Sequence, residues 1–218
     1  MTINHHIDDD ILLSYASGEL DEGFSLLVAA HLSLCPVCRK TVELAEEMGG
    51  VFLEDLTPAA MSETGLADVM AAIDTSPAQI QPARPAPYSG QPILPAPVRA
   101  RFGGDVDAVR WKRIGPGVRQ AILDGTEGGS SVRLLRITGG TGVLEHGHKG
   151  EEMTLVLAGG FKDGEQSFTR GDVESADSGI VHRPVADPGE DCICLAVTSA
   201  PLSFSSFIGR LAQPFARI

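Results

Sequence analysis

Residues 140–159 read GTGVLEHGHKGEEMTLVLAG. His146 and His148 are two apart, so on a β-strand their side chains point to the same face. Glu152 follows His148 by four residues, past Lys149-Gly150, and rejoins that face. Glu151 has the opposite parity and points away. His182, three residues after Gly179, offers one more imidazole from further along the chain. Three imidazoles and a carboxylate converging within β structure form a donor set for a divalent metal ion.

The sequence around this stretch alternates with period two and turns at glycine pairs. It predicts strands over Val118–Leu123, Val132–Thr138, Met153–Leu157 and Cys192–Thr198. Gly139-Gly140, Gly159-Gly160 and Asp163-Gly164 read as turns. Short strands with no helices between them point to an antiparallel sandwich or barrel. Cys192 and Cys194 share one face of the last of these strands. They are poorly placed to form a disulfide with each other and read as small buried hydrophobes, with a redox role the lesser alternative. Phe204, Phe207, Ile208 and Leu211 recur at helical spacing, which predicts a C-terminal helix packed on the barrel.

The first third of the chain is written in a different pattern. Asp8 to Asp10 precede Ile11, Leu12, Leu13 and Tyr15, as at a helix start. Asp21 is placed to cap a second helix carrying Phe24, Leu27, Val28, His31 and Leu32. Pro36 opens a third, which Gly49-Gly50 is expected to end, and a fourth amphipathic segment runs from about Ser62 to Ile73. At the junction of the second and third lies His31-x3-Cys35-x2-Cys38. With Cys35 opening a helix, Cys38 lies one turn on and His31 one turn before. Three donors of a tetrahedral zinc site thus converge from one corner, and His5 or His6 is available as the fourth. So small a helical unit buries little core, and a metal staple is physically reasonable there.

Between the halves, residues 77–97 hold seven of the fourteen prolines, with Ala, Gln and Ser among them. That composition reads as an extended, semi-rigid linker. The expected organisation is a helical zinc domain over 1–76, a proline-rich linker over 77–100 and a β-rich domain over 101–218. Charge divides at the same place. Residues 1–75 contain fourteen acids and two bases, a net of −12, and the remaining fifteen acids and fifteen bases cancel. Such a surface repels phosphate, which argues against nucleic acid, and would steer a basic protein partner. No run approaches the roughly 18–20 apolar residues of a membrane span. The start, MTINHHIDDD, has no signal-peptide character. With so few cysteines, two of them in a metal motif, the expected compartment is the cytoplasm.

Gly140, His146, His148, Glu152 and Gly159 match the first cupin motif at every step, and Gly171, Gly179 and His182 fall in place in the second. Asp177 stands where that motif usually has proline and Ala186 where it has asparagine, departures that concern the local turn. The β-rich part therefore resembles a cupin barrel. Joined to the His31, Cys35, Cys38 signature, nearly the whole chain resembles the ChrR-type zinc-dependent anti-sigma factors. The resemblance implies a fold of multidomain α plus all-β class: a zinc-binding helical bundle, a linker and a cupin. It implies structural zinc on His6, His31, Cys35 and Cys38, and zinc or another divalent metal on His146, His148, Glu152 and His182. It implies an N-terminal domain that sequesters an extracytoplasmic-function sigma factor. The cupin, which self-associates in many relatives, would be needed for release under singlet-oxygen or related oxidative stress. The alternative is a metal-dependent cupin enzyme, dioxygenase-like, with a regulatory zinc domain.

Overall fold

The computed structural model describes residues 2–76, 91–124 and 129–204. Most of the proline-rich stretch lies outside them, as does the helix expected at 204–211 apart from Phe204, which is in a strand.

Four helices come first: α1 (Asp9–Ala16), α2 (Glu22–Leu32), α3 (Pro36–Glu54) and α4 (Gly65–Thr75). Asp21 caps α2 as its spacing predicts, its Oδ1 accepting the Phe24 amide at 3.0 Å. The same oxygen accepts the Ser130 hydroxyl at 2.9 Å, which ties the cap to the β-rich part. α2 is buried nearly all round, at Phe24, Leu26, Leu27, Val28, Ala30 and His31. Such a helix must be enclosed on more than one side. α1 and α3 lie on one flank and the sheet on the other.

Gly49-Gly50 does not end α3, which continues to Glu54. Each glycine costs only about 1 kcal/mol in a helix interior, and the Val51-Phe52-Leu53-Glu54 that follows sustains the helix. A second difference concerns the proline-rich stretch. Its last residues are not extended but form α5 (Ala96–Phe102), with Pro97 in the first turn, where a missing N–H costs nothing. Leu94 and Val98 are fully buried. The Asp105 carboxylate accepts the amides of Ile93 and Leu94 at 3.0 and 2.8 Å, fixing the entry to this helix.

Among the described residues the β-rich part has twelve strands: β1 (Lys112–Gly115), β2 (Val118–Leu123), β3 (Ser131–Ile137), β4 (His146–Gly147), β5 (Glu152–Ala158), β6 (Gly160–Asp163), β7 (Gln166–Thr169), β8 (Val173–Ala176), β9 (Val181–His182), β10 (Val185–Ala186), β11 (Cys192–Thr198) and β12 (Ser203–Phe204). A six-stranded sheet runs β1-β2-β3-β11-β5-β8, and two three-stranded sheets run β10-β6-β7 and β12-β4-β9. Every pairing is antiparallel. β11 is buried on both faces, and alternation sends its residues to two cores. Ile193, Leu195 and Val197 join a core shared with Leu12, Leu27, Leu94 and Val98 of the helical elements. Cys192 and Cys194 join a second with Phe161, Phe168 and Val156. The helices and the six-stranded sheet thus share one continuous apolar interior.

Candidate metal centres

The first cluster is assembled by local rules. Cys35 is the N-cap of α3, and its Sγ accepts the Cys38 amide at 3.5 Å. Pro36 at the first helical position pre-sets the turn that brings the two sulfurs together. His31 ends α2 one turn earlier and is completely buried. His6 arrives from the segment before α1, its Nδ1 3.3 Å from Cys35 Sγ and 3.5 Å from Cys38 Sγ. One donor atom from each of the four lies within 4.8 Å of every other. His5 takes no part: its ring packs on Phe168 at 4.3 Å, with Nδ1 3.7 Å from Asp172 Oδ1.

His31 Nδ1 donates to the Gly171 carbonyl at 2.9 Å, which leaves Nε2 to face the cluster. That nitrogen is buried without a hydrogen-bond partner among the described residues. An orphan of this kind costs about 1–3 kcal/mol unless something coordinates it. Burial lowers the His31 pKa to about 4, so the ring is neutral and its lone pair available. Burial, with the neighbouring Cys35, pushes the Cys38 thiol up to about 11. A divalent cation reverses that preference, since it binds the thiolate and releases the proton. Two imidazoles and two sulfurs are a donor set that suits tetrahedral zinc.

The second cluster is assembled by pairing. β4 and β9 are neighbours, and His146 stands opposite His182 in their register. His148 follows two residues after His146. His182 Nε2 is 3.0 Å from His148 Nε2 and 3.1 Å from His146 Nε2, so three ring nitrogens face one point. A tetrahedral metal at 2.0–2.1 Å would hold such nitrogens about 3.3 Å apart, close to this spacing. Two of the three outer nitrogens are engaged in the manner that presents Nε2 to a metal. His146 Nδ1 donates to Leu144 O at 2.9 Å, and His182 Nδ1 lies 3.0 Å from Asp163 Oδ2. Glu152 lies beside the cluster rather than within it, with Oε2 3.4 Å from His148 Nδ1 and Oε1 accepting from Thr154 at 3.2 Å.

Burial, reinforced by the two neighbouring rings, holds His148 at about 4, and burial also lowers His146. Burial opposes charge on His182 as well, yet Glu174 and Asp163 together outweigh it and raise that ring above its ordinary value. Glu152 and Glu174 are both pushed upward by burial. Asp163 and Glu174 escaped the sequence reading. The first stood in a hairpin turn, the second in a strand with no motif, and no spacing rule connects either with His182.

Cys192 and Cys194 lie side by side in β11, Sγ atoms 3.4 Å apart and buried, with no disulfide. Their mutual contact and then burial drive the Cys194 thiol well above its ordinary value, which keeps it protonated and unreactive.

Comparison with known proteins meets this geometry. Residues 99–201 match the family model described as ChrR Cupin-like domain. The anti-sigma-E factor ChrR of Cereibacter sphaeroides is 51% identical over 219 aligned positions, spanning 100% of both chains. The crystal structure of Rhodobacter sphaeroides SigE in complex with the anti-sigma ChrR matches with a TM-score of 0.78 and 46% identity, covering 90% of this chain and 99% of that one. With half of all positions identical from end to end, the chain belongs to the ChrR family of anti-sigma factors.

Proposed function

We propose that this chain binds an extracytoplasmic-function sigma factor through its N-terminal helices and withholds it from RNA polymerase. The cupin is the sensory part, needed for release under singlet oxygen or related oxidative stress. Zinc on His6, His31, Cys35 and Cys38 holds α2 and α3 in the arrangement the partner recognises. His146, His148 and His182, with Glu152 completing the set, hold a divalent metal in the cupin. When bound, that metal would lock the three imidazoles in one arrangement. The chain's own contribution is to keep His146 and His148 neutral by burial, to orient His146 through the Leu144 carbonyl and to orient His182 through Asp163 and Glu174.

The observation that carries this reading is an unpartnered apolar face. The second half of α3 exposes Met48, Val51, Phe52 and Leu53, and α4 exposes Leu66, Val69, Met70 and Ile73. α4 buries no residue at all. An amphipathic helix with its apolar stripe in water is a docking element. The segment that carries it, residues 1–75, holds the chain's acidic excess, which complements a basic partner. α1, by contrast, spends much of its apolar side on α3.

The test is binding and transcription with the purified full-length protein and an extracytoplasmic-function sigma factor of the same organism. A complex that blocks sigma-dependent transcription is expected. Phe52→Asp or Leu66→Asp should weaken it roughly 30-fold or more, as for a hot spot of about 2 kcal/mol, without loss of helix content. Absence of a complex, together with turnover of a small oxidisable substrate by the metal-loaded protein, would favour the enzyme instead.

A further inference from the structure

The N-terminal metal cluster is not supported by the N-terminal helices alone. Four consecutive residues at the β7–β8 corner, Gly171 to Glu174, reach both clusters. The Gly171 carbonyl accepts His31 Nδ1 at 2.9 Å. The Asp172 carboxylate is fully buried, and its Oδ1 accepts the amides of Asn4 and His5 at 2.7 and 2.9 Å. Its Oδ2 accepts the amide and hydroxyl of Thr169 at 2.8 and 2.9 Å, anchoring it in its own corner. The Val173 amide donates to His5 O at 3.1 Å, so the strap carrying His6 is docked beside β8 like an added strand. Gly171 has φ +92°, and a Cβ there would come within 2.7 Å of Ile3, so the strap lies directly on the corner. One residue beyond Val173, Glu174 Oε1 is 3.7 Å from His182 Nδ1 in the other cluster.

We propose that this corner is a common outer support for both metal clusters. Asp172 acts as a positioning residue for His6, and emptying the cupin cluster loosens the hold on metal at Cys35 and Cys38. The proposal rests on the metal reading above. Partners of this outer kind set ligand orientation, and their loss typically lowers metal affinity about 10–100-fold. If the clusters are coupled, each changes the other's affinity by the same factor, commonly about 5–150-fold. The physical link is short: a metal that fixes His182 restrains Glu174, and Glu174 continues β8 into the residues that hold His5 and His31.

The experiment is a cobalt titration of the metal-stripped full-length protein, read by the thiolate-to-cobalt charge-transfer absorption. A Cys38→Ser control assigns the band to the N-terminal cluster. Asp172→Ala should weaken cobalt binding at the thiolates about 10–100-fold. Asp172→Asn, which keeps an oxygen for the Asn4 and His5 amides, should restore most of it. His146→Ala, which disables the cupin cluster, should weaken the thiolate site about 5-fold or more, and add nothing further to Asp172→Ala. Wild-type affinity in Asp172→Ala would overturn the positioning role. Where Asp172→Ala does not fold, an unchanged His146→Ala overturns the coupling. A wild-type protein with no charge-transfer band would overturn the metal reading together with this inference. A band present and unmoved by any variant overturns this inference alone.

Discussion

Cys38 and His31 offer direct tests of the metal reading, because each presents one donor from a buried position. Cys38→Ala or His31→Ala should lower the metal content of the purified protein by about one ion per chain, with loss of sigma-factor binding, read by elemental analysis and a binding assay. Tight binding by a variant lacking that ion would remove the scaffold role. The histidines also predict an acid response of the metal-free protein. His31 and His148 titrate at about 4 when folded, against an ordinary value of 6.5. Between those values the unfolded chain binds more protons, so stability falls as pH drops from 6.5 towards 4. His146 acts in the same sense. His182, raised above its ordinary value, acts in the opposite sense: its contribution is complete below the unfolded value and lost as pH rises through the folded one. Glu152 and Glu174, both raised by burial, act in the same sense as His182, so the acid loss carried by His31 is read by comparison: between pH 6.5 and 4 the denaturation midpoint of metal-free His31→Ala should fall less than that of the metal-free parent. At this scale the sequence was explicit about residue type and spacing and silent on choice between neighbours. His5 and His6 are adjacent, and the docking of His5 on Asp172 and Phe168 assigns His6 to the thiols.

Among the elements, α3 departs most from its sequence pattern. Gly49 and Gly50 are helical, and a Cβ at either would meet nothing within 4 Å. Gly49→Ala combined with Gly50→Ala should therefore stabilise the second half of α3 by about 0.5–1 kcal/mol per site. The expected readout is greater amide-exchange protection over residues 46–54. Glycine usually follows a helix, so the pair has the pattern of a stop. It did not act as one because the next four residues are adequate helix formers. The four predicted strands were legible to within about a residue, since period two is imposed by burial on alternating faces, whereas the two-residue and four-residue strands are too short to show that period. α5 was not, because proline content argues for extension unless tertiary contacts bury Leu94 and Val98. The cupin histidines belong to this scale too. With zinc in excess, so that the N-terminal cluster stays filled, His146→Ala or His182→Ala should leave sigma binding intact and blunt release under singlet oxygen, measured as reporter induction. A normal response in both would remove the cupin cluster from the mechanism.

The whole molecule depends on the junction between α2 and the sheet. A Cβ on Gly23 would lie 2.2 Å from Ser130 Oγ and 2.8 Å from Val132 Cγ2. Gly23→Leu should therefore force the helix from the sheet and lower the thermal midpoint, with a cost at or above the roughly 1–3 kcal/mol of ordinary overpacking. Glu22 and Arg101 form an ion pair nearby, linking α2 to α5 across the same junction. The shared core makes the helical part and the cupin a mechanical unit, which a composition shift in the chain does not foretell.

By itself the sequence determined the class of each half, the four strands of greatest apolar alternation and six of the rings and sulfurs that the fold gathers into two clusters. These follow from local causes: periodicity of burial, capping, and donor spacing within one turn or one strand. Between His5 and His6 no residue pattern chose; the family resemblance pointed to His6, and the tertiary structure brings His6 to the thiols. Tertiary structure alone placed Asp163 and Glu174 behind His182, and used a cupin corner about 140 residues from His31 to complete the N-terminal cluster. Those arrangements depend on which backbone amides and carbonyls a folded surface leaves to be satisfied, and no local pattern encodes that.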